Sequence, residues 1–130
     1  MTTRNPVDGR GHAAYSRGME TLVETAGDVQ ILHLRGRLDL TAVNEFGELL
    51  QGIITAGGTR IVLDCRDLQY VSSSGLGAFI QGGKKLGPEG KLVFASLSRH
   101  VQNVFEMTGL ANLFPICGSK EDALAKLAAG

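Results

Sequence analysis

The chain has 130 residues, 43% of them hydrophobic and 20% charged, with 13 basic residues balancing 13 acidic ones. That length is about one domain, and the composition is that of a folded globule rather than a disordered chain. A formal charge of zero argues against a phosphate-backbone binder, which needs a basic face, and against polybasic membrane attachment.

Residues 1–18 hold three Gly, one Pro and three Arg but almost no bulky apolar side chains. Too little surface can be buried there to offset ordering entropy, so the expectation is a flexible tail over 1–18 and one domain over 19–130. Leu22-Val23-Glu24-Thr25 reads as a short strand, Ala26-Gly27-Asp28 as a turn, and Val29 to Leu34 as a second strand apolar on both faces. The period then becomes helical through Ala42, Val43, Phe46, Leu49, Leu50, Ile53 and Ile54. Asp39 or Thr41 can cap this helix and Gly57-Gly58 stop it. Ile61-Val62-Leu63 is a buried strand ending at Asp64, and a loop from Cys65 to Ser72 leads to a helix carrying Leu76, Phe79, Ile80, Gly83 and Leu86. Gly87-Pro88-Glu89-Gly90 breaks the chain before the strand Leu92 to Ala95. Ser98 caps a helix through Val101, Val104 and Phe105 that stops at Gly109. Leu113-Phe114-Pro115-Ile116 reads as a last strand, at an edge because of its proline, and Ser119 to Asp122 open a final helix with Ala123, Leu124 and Leu127. The order ββαβαβαβα predicts an α/β domain with a mixed, mostly parallel sheet of about five strands and about four helices. Functional loops in such folds gather at the carboxyl ends of strands, here Gly36–Asp39, Asp64–Ser74, Ser96–Ser98 and Cys117–Ser119.

Catalytic chemistry finds little support along the chain. Cys65 and Cys117 form no CxxC pair and His12, His33 and His100 are scattered, so no metal site is expected. Trp is absent, which leaves little material for stacking single-stranded nucleic acid. No apolar run approaches the ~18–20 residues of a membrane span, and the start Met1 to Pro6 lacks a secretory signal's apolar core. A cytoplasmic protein is therefore expected. The glycines and lysine of Gly77 to Lys84 fall inside a helical period and lack the following Ser/Thr of a phosphate loop. Gly75-Leu76-Gly77 lacks the third glycine of a dinucleotide fingerprint, no Gly-x-Ser-x-Gly elbow occurs, and Asp64 lacks the acidic pair and lysine of a phosphoacceptor aspartate. Neither a catalytic residue nor a cofactor is expected.

The informative segment is Asp67-Leu68-Gln69-Tyr70-Val71-Ser72-Ser73-Ser74-Gly75-Leu76-Gly77. Three serines before a helix can serve simply as its N-cap, with the glycines allowing close packing. They can equally display a hydroxyl at a helix N-terminus, where free N–H groups tolerate an added phosphate.

This run resembles the signature of the STAS family, the anti-anti-sigma factors, whose typical form is Asp-Ser-Ser-Gly-Leu-Gly at the start of the second helix. Gly36-Arg37-Leu38-Asp39 resembles the family's Gly-x-Leu-Asp after the second strand, and Ser98 with Val101 to Leu110 resembles its third helix and following Gly-Leu. The resemblance covers about Met19 to Ala129. It implies a STAS-type domain that is a binding module and not an enzyme: an anti-sigma factor antagonist that binds an anti-sigma factor serine kinase and so releases a sigma factor. The kinase would end binding by phosphorylating one serine with ATP and Mg²⁺, and a PP2C-type phosphatase would restore it. The family's phosphoacceptor position falls on Ser73, and Asp39 matches an aspartate implicated in partner contact; partner binding is expected from Asp39, Ser72, Ser73, Ser74, Gly75 and Leu76, in a monomer or weak dimer. One departure is Ser72, which stands where the family has an aspartate and is the alternative acceptor. Family members also serve as stressosome scaffolds, as subunits of lipid-transport assemblies, or in nucleotide or small-ligand binding.

Overall fold

The computed structural model describes residues 11–16 and 18–129, with side chains from 18 to 128. In chain order the elements are β1 (Gly11–Ser16), β2 (Met19–Ala26), β3 (Val29–Leu38), α1 (Val43–Thr55), β4 (Arg60–Val71), α2 (Ser73–Leu86), β5 (Lys91–Ala95), α3 (Arg99–Thr108), β6 (Ile116–Cys117) and α4 (Lys120–Ala129). A 3-10 turn, Leu110–Asn112, follows α3. The strands form one sheet in the order β1-β2-β3-β4-β5-β6. β1, β2 and β3 pair antiparallel, whereas β3 to β6 run parallel. The result is a single α/β domain with four helices and a mixed, mostly parallel sheet.

Adjacent strand residues point to opposite faces, which explains why β3, β4 and β5 read as unbroken apolar runs. Leu32, Leu34, Ile61, Leu63 and Phe94 join Phe46 and Leu50 of α1, Phe79 of α2, and Val101 and Phe105 of α3 in one core. Ile31, Val62 and Val93 turn the other way and meet Ala123 and Leu127 of α4. The two apolar runs read as strands are buried: Ile31 is 1% exposed, and Leu32, Ile61, Val62 and Leu63 are 0% exposed. Both faces of the sheet are therefore covered, but α4 covers only the half near the start of β3.

Four boundaries depart from the sequence reading. Gly11–Ser16, within the segment expected to be tail, pairs along the open edge of β2 from Gly11↔Glu24 to Ser16↔Met19, adding a strand to the five expected. Backbone pairing needs no bulky apolar residues, so composition gave no sign of it; residues 1–10 and 17 lie outside the described residues. β4 does not end at Asp64 but runs on to Val71 through what was expected to be a loop. Two register shifts against β3, between His33 and Arg35 and between Gly36 and Arg37, each insert an extra residue on β4. Buried Cys65, Leu68 and Val71 consequently fall three apart, which hides the period of two. The last strand lies at Ile116–Cys117 and not at Leu113–Ile116, although it is an edge strand as the proline implied. Phe114 instead packs its ring 5.3 Å from that of Phe94. Finally, α1 starts at Val43 after Ala42, with no side-chain cap; Asp39 and Thr41 bond each other one turn earlier.

Candidate functional site

β3 and β4 end side by side. The Ser72 N–H donates to the Leu38 carbonyl at 2.9 Å, so the loop that starts at Asp39 and the first turn of α2 leave the sheet together. Gly75 permits that closeness: a Cβ there would lie 2.8 Å from Val71 Cγ2 and 3.0 Å from both Cγ and the carbonyl oxygen of Leu38. Leu76 anchors the turn from below, at 6% exposed within the core. Of the residues expected to touch a partner, Gly75 and Leu76 therefore shape the loop from inside, while Asp39, Ser72, Ser73 and Ser74 reach its surface.

The three serines are not equivalent. Ser72 has extended backbone and is the N-cap of α2, its Oγ accepting from the Gly75 N–H at 3.1 Å. Its hydroxyl also lies 3.0 Å from that of Ser74, and both residues are half-buried. Ser73, the first helical residue, is exposed and its hydroxyl makes no side-chain hydrogen bond among the described residues. One hydroxyl out of three is thus free, at a helix terminus whose first N–H groups lack intrahelical partners.

Asp39 is held beside this turn. Its Oδ1 accepts from the Thr41 hydroxyl at 2.7 Å and the Thr41 N–H at 3.0 Å. These bonds, the hydroxyl's above all, with help from Arg37, hold its carboxyl below the usual carboxylate range. Next to it Leu40 is 74% exposed, an apolar side chain that sequence reasoning passed over. Its only signal was position, between two polar residues and ahead of the helical period. A groove of about 730 Å³ runs between α1 and α2 past Val43, Gly47, Ser74, Gly77 and Ala78. Behind the loop, the Arg37 guanidinium sits 4.3 Å from the centre of the Tyr70 ring, which stacks in turn on His100.

None of the three serine hydroxyls is hydrogen-bonded to a histidine or a carboxylate among the described residues. His33 lies elsewhere, with Nδ1 2.8 Å from Asp64 and Nε2 2.8 Å from Glu24. Burial pushes the Cys65 thiol up, away from thiolate chemistry. Among the described residues no group of three His, Cys, Asp or Glu side chains is placed to hold a metal ion. No described helix is long and apolar enough to cross a membrane. The arrangement can present a polar loop with one free hydroxyl, one fixed carboxylate and one exposed leucine. Removing the cap hydroxyl with Ser72→Ala should cost about 1 kcal/mol in denaturant unfolding, because the Gly75 N–H loses its acceptor.

The chain is similar to known proteins over most of its length. The STAS domain family profile matches residues 20–123. BtrV of Bordetella bronchiseptica, named as an anti-sigma factor antagonist, is 32% identical over 108 residues, spanning 82% of this chain and 93% of that protein. The anti-sigma-B factor antagonist of Staphylococcus aureus is 32% identical over 82 residues, 62% of this chain and 76% of that protein. Among solved structures, an anti-sigma factor antagonist from Mycobacterium paratuberculosis shares the fold with a TM-score of 0.79 over 83% of this chain and 92% of that one, at 22% identity.

Proposed function

The chain belongs to the STAS domain family, and on that premise we propose that it is an anti-sigma factor antagonist switched off by phosphorylation of Ser73. In this reading it binds an anti-sigma factor that is itself a serine kinase, and so frees a sigma factor in the cytoplasm. The names of the relatives support the antagonist role. The observation that carries the switch is the exposed, unbonded hydroxyl of Ser73, flanked by two serines whose hydroxyls are engaged with each other and with the helix cap. The binding surface comprises Asp39, Leu40, Ser72, Ser73 and Ser74.

The chemistry is supplied by the partner. The Ser73 oxygen attacks the γ-phosphorus of the kinase's Mg²⁺-ATP, the bond to the bridging oxygen breaks, ADP leaves, and the serine proton passes to the kinase. The product adds about −1.5 to −2 charges beside the Asp39 carboxylate. The free N–H groups of α2 accommodate that charge within the domain, whereas a docked partner must desolvate it. Hydrolysis by a PP2C-type phosphatase resets the loop. Incubation with the cognate kinase and Mg²⁺-ATP, followed by mass-spectrometric site mapping, should place one phosphate on Ser73. Phosphate on Ser72 or Ser74 would move the switch, and phosphate nowhere would favour a scaffold or transport assembly.

A further inference from the structure

On the sheet face that carries α4, beside the start of that helix, His33 stands between two carboxylates. Its Nδ1 lies 2.8 Å from Asp64 Oδ2 on β4, and its Nε2 lies 2.8 Å from Glu24 Oε1 on β2. The same Glu24 oxygen is 3.9 Å from Nζ of Lys120 in the first turn of α4. We infer that His33 is a proton-dependent clasp, tying β2, β3 and β4 to one another and, through Glu24 and Lys120, to the start of α4.

A carboxylate only accepts, so both contacts are hydrogen bonds only when both ring nitrogens carry protons. Neutral imidazole keeps a single N–H. The Asp64 side chain is 11% exposed and that of Glu24 40%, so Asp64 has the poorer access to water and retains the donor. Glu24 Oε1 then faces a nitrogen lone pair at 2.8 Å, and the hydrogen bond that joins it to β3 is lost. Other charges border the clasp: Glu20 on β2, Arg35 on β3 and Arg66 and Asp67 on β4 line the cleft on one side. Lys120 and Glu121 of α4 line the cleft on the other. Burial opposes the proton on His33, and the two bonded carboxylates outweigh it.

The sign of the pH dependence follows. The bond to Asp64 raises the His33 pKa above 6.5; burial opposes this, and the bond to Glu24 adds to it. The clasp's stabilisation is therefore complete below pH 6.5 and is lost as pH rises through the raised value. On the acid side, burial pushes the Asp64 carboxyl up, but the bonds from His33 and the Arg66 N–H more than offset this and hold it below 3.8. That contribution is present above 3.8 and disappears as pH falls through the lowered value.

The test is the full chain followed by NMR and thermal unfolding between pH 6 and pH 9. The His33 ring signals should titrate above 6.5, with the amides of Lys120 to Asp122 moving in step. The wild-type melting temperature should fall across this range by about 2–5 °C more than that of His33→Gln. Glu24→Gln, at a half-exposed position that should tolerate it, should lower the His33 midpoint and uncouple the α4 amides from it. A His33 midpoint at or below 6.5 would overturn the inference, as would matching pH profiles for wild type and His33→Gln. Coupling of the α4 amides that persists in Glu24→Gln would overturn the role given to Glu24.

Discussion

Phe79→Ala is expected to cost about 3–5 kcal/mol, toward the upper end of what one core truncation does. The ring is 0% exposed and sits where three helices meet the sheet. Its centroid lies 5.7 Å from that of Phe46 on α1, 4.9 Å from Phe94 on β5 and 6.1 Å from Phe105 on α3. Truncation removes edge-to-face contacts to two of these rings and opens a cavity. The cavity cannot close by sliding α2 toward α1, because Gly82 already lies against Leu50: a Cβ there would be 2.6 Å from Leu50 Cδ2. Against the ~5–15 kcal/mol typical of a domain, the loss is large enough to unfold a marginal one. Phe79→Leu, expected to cost about 1–2 kcal/mol, provides a measurable variant if alanine does not fold. A urea-derived loss below about half a kcal/mol for either change would mean that the ring is not at the centre of the core.

That ring was legible because a helix repeats every 3.6 residues, so Leu76, Phe79 and Ile80 mark a buried face without any knowledge of their partners. The same holds for Phe46 and Leu50 on α1, and for the glycine stop at Gly109, whose φ of 85° is left-handed. Signals failed where position depended on other strands. The second half of β4 is a strand only because its two bulges let it stay paired with β3, and bulges erase the alternation that would announce it. His33 looked isolated because its partners, Glu24 and Asp64, are 9 and 31 residues away. Register brings them together: Asp64 lies directly across from His33, while Glu24 is diagonal to it, since Leu22 is the residue opposite. The serine run announced a helix N-terminus, but which hydroxyl stands free is decided by which one caps. Ser72 accepts from the Gly75 N–H, and this places Ser73 one residue further on, facing outward.

Ser73→Ala should bind the partner kinase as wild type does and take up no phosphate, while Ser73→Asp should bind at least about tenfold more weakly. The alanine change deletes a hydroxyl that is exposed and makes no side-chain bond, so stability should move by no more than about 0.5 kcal/mol. Enzymatically phosphorylated wild type should be weaker than Ser73→Asp, because a phosphate carries up to about twice the charge of one carboxylate. Calorimetric titration of the four species against the unphosphorylated kinase, with unfolding curves run alongside, separates the causes. Ser73 is the first residue of α2, directly after the cap, where a negative charge is favourable to the helix by about 0.3–1 kcal/mol. Ser73→Asp should accordingly fold as well as wild type or slightly better. Weaker binding by a domain of undiminished stability leaves charge at the contact as the cause, and equal affinities across all four species would remove Ser73 from the interface.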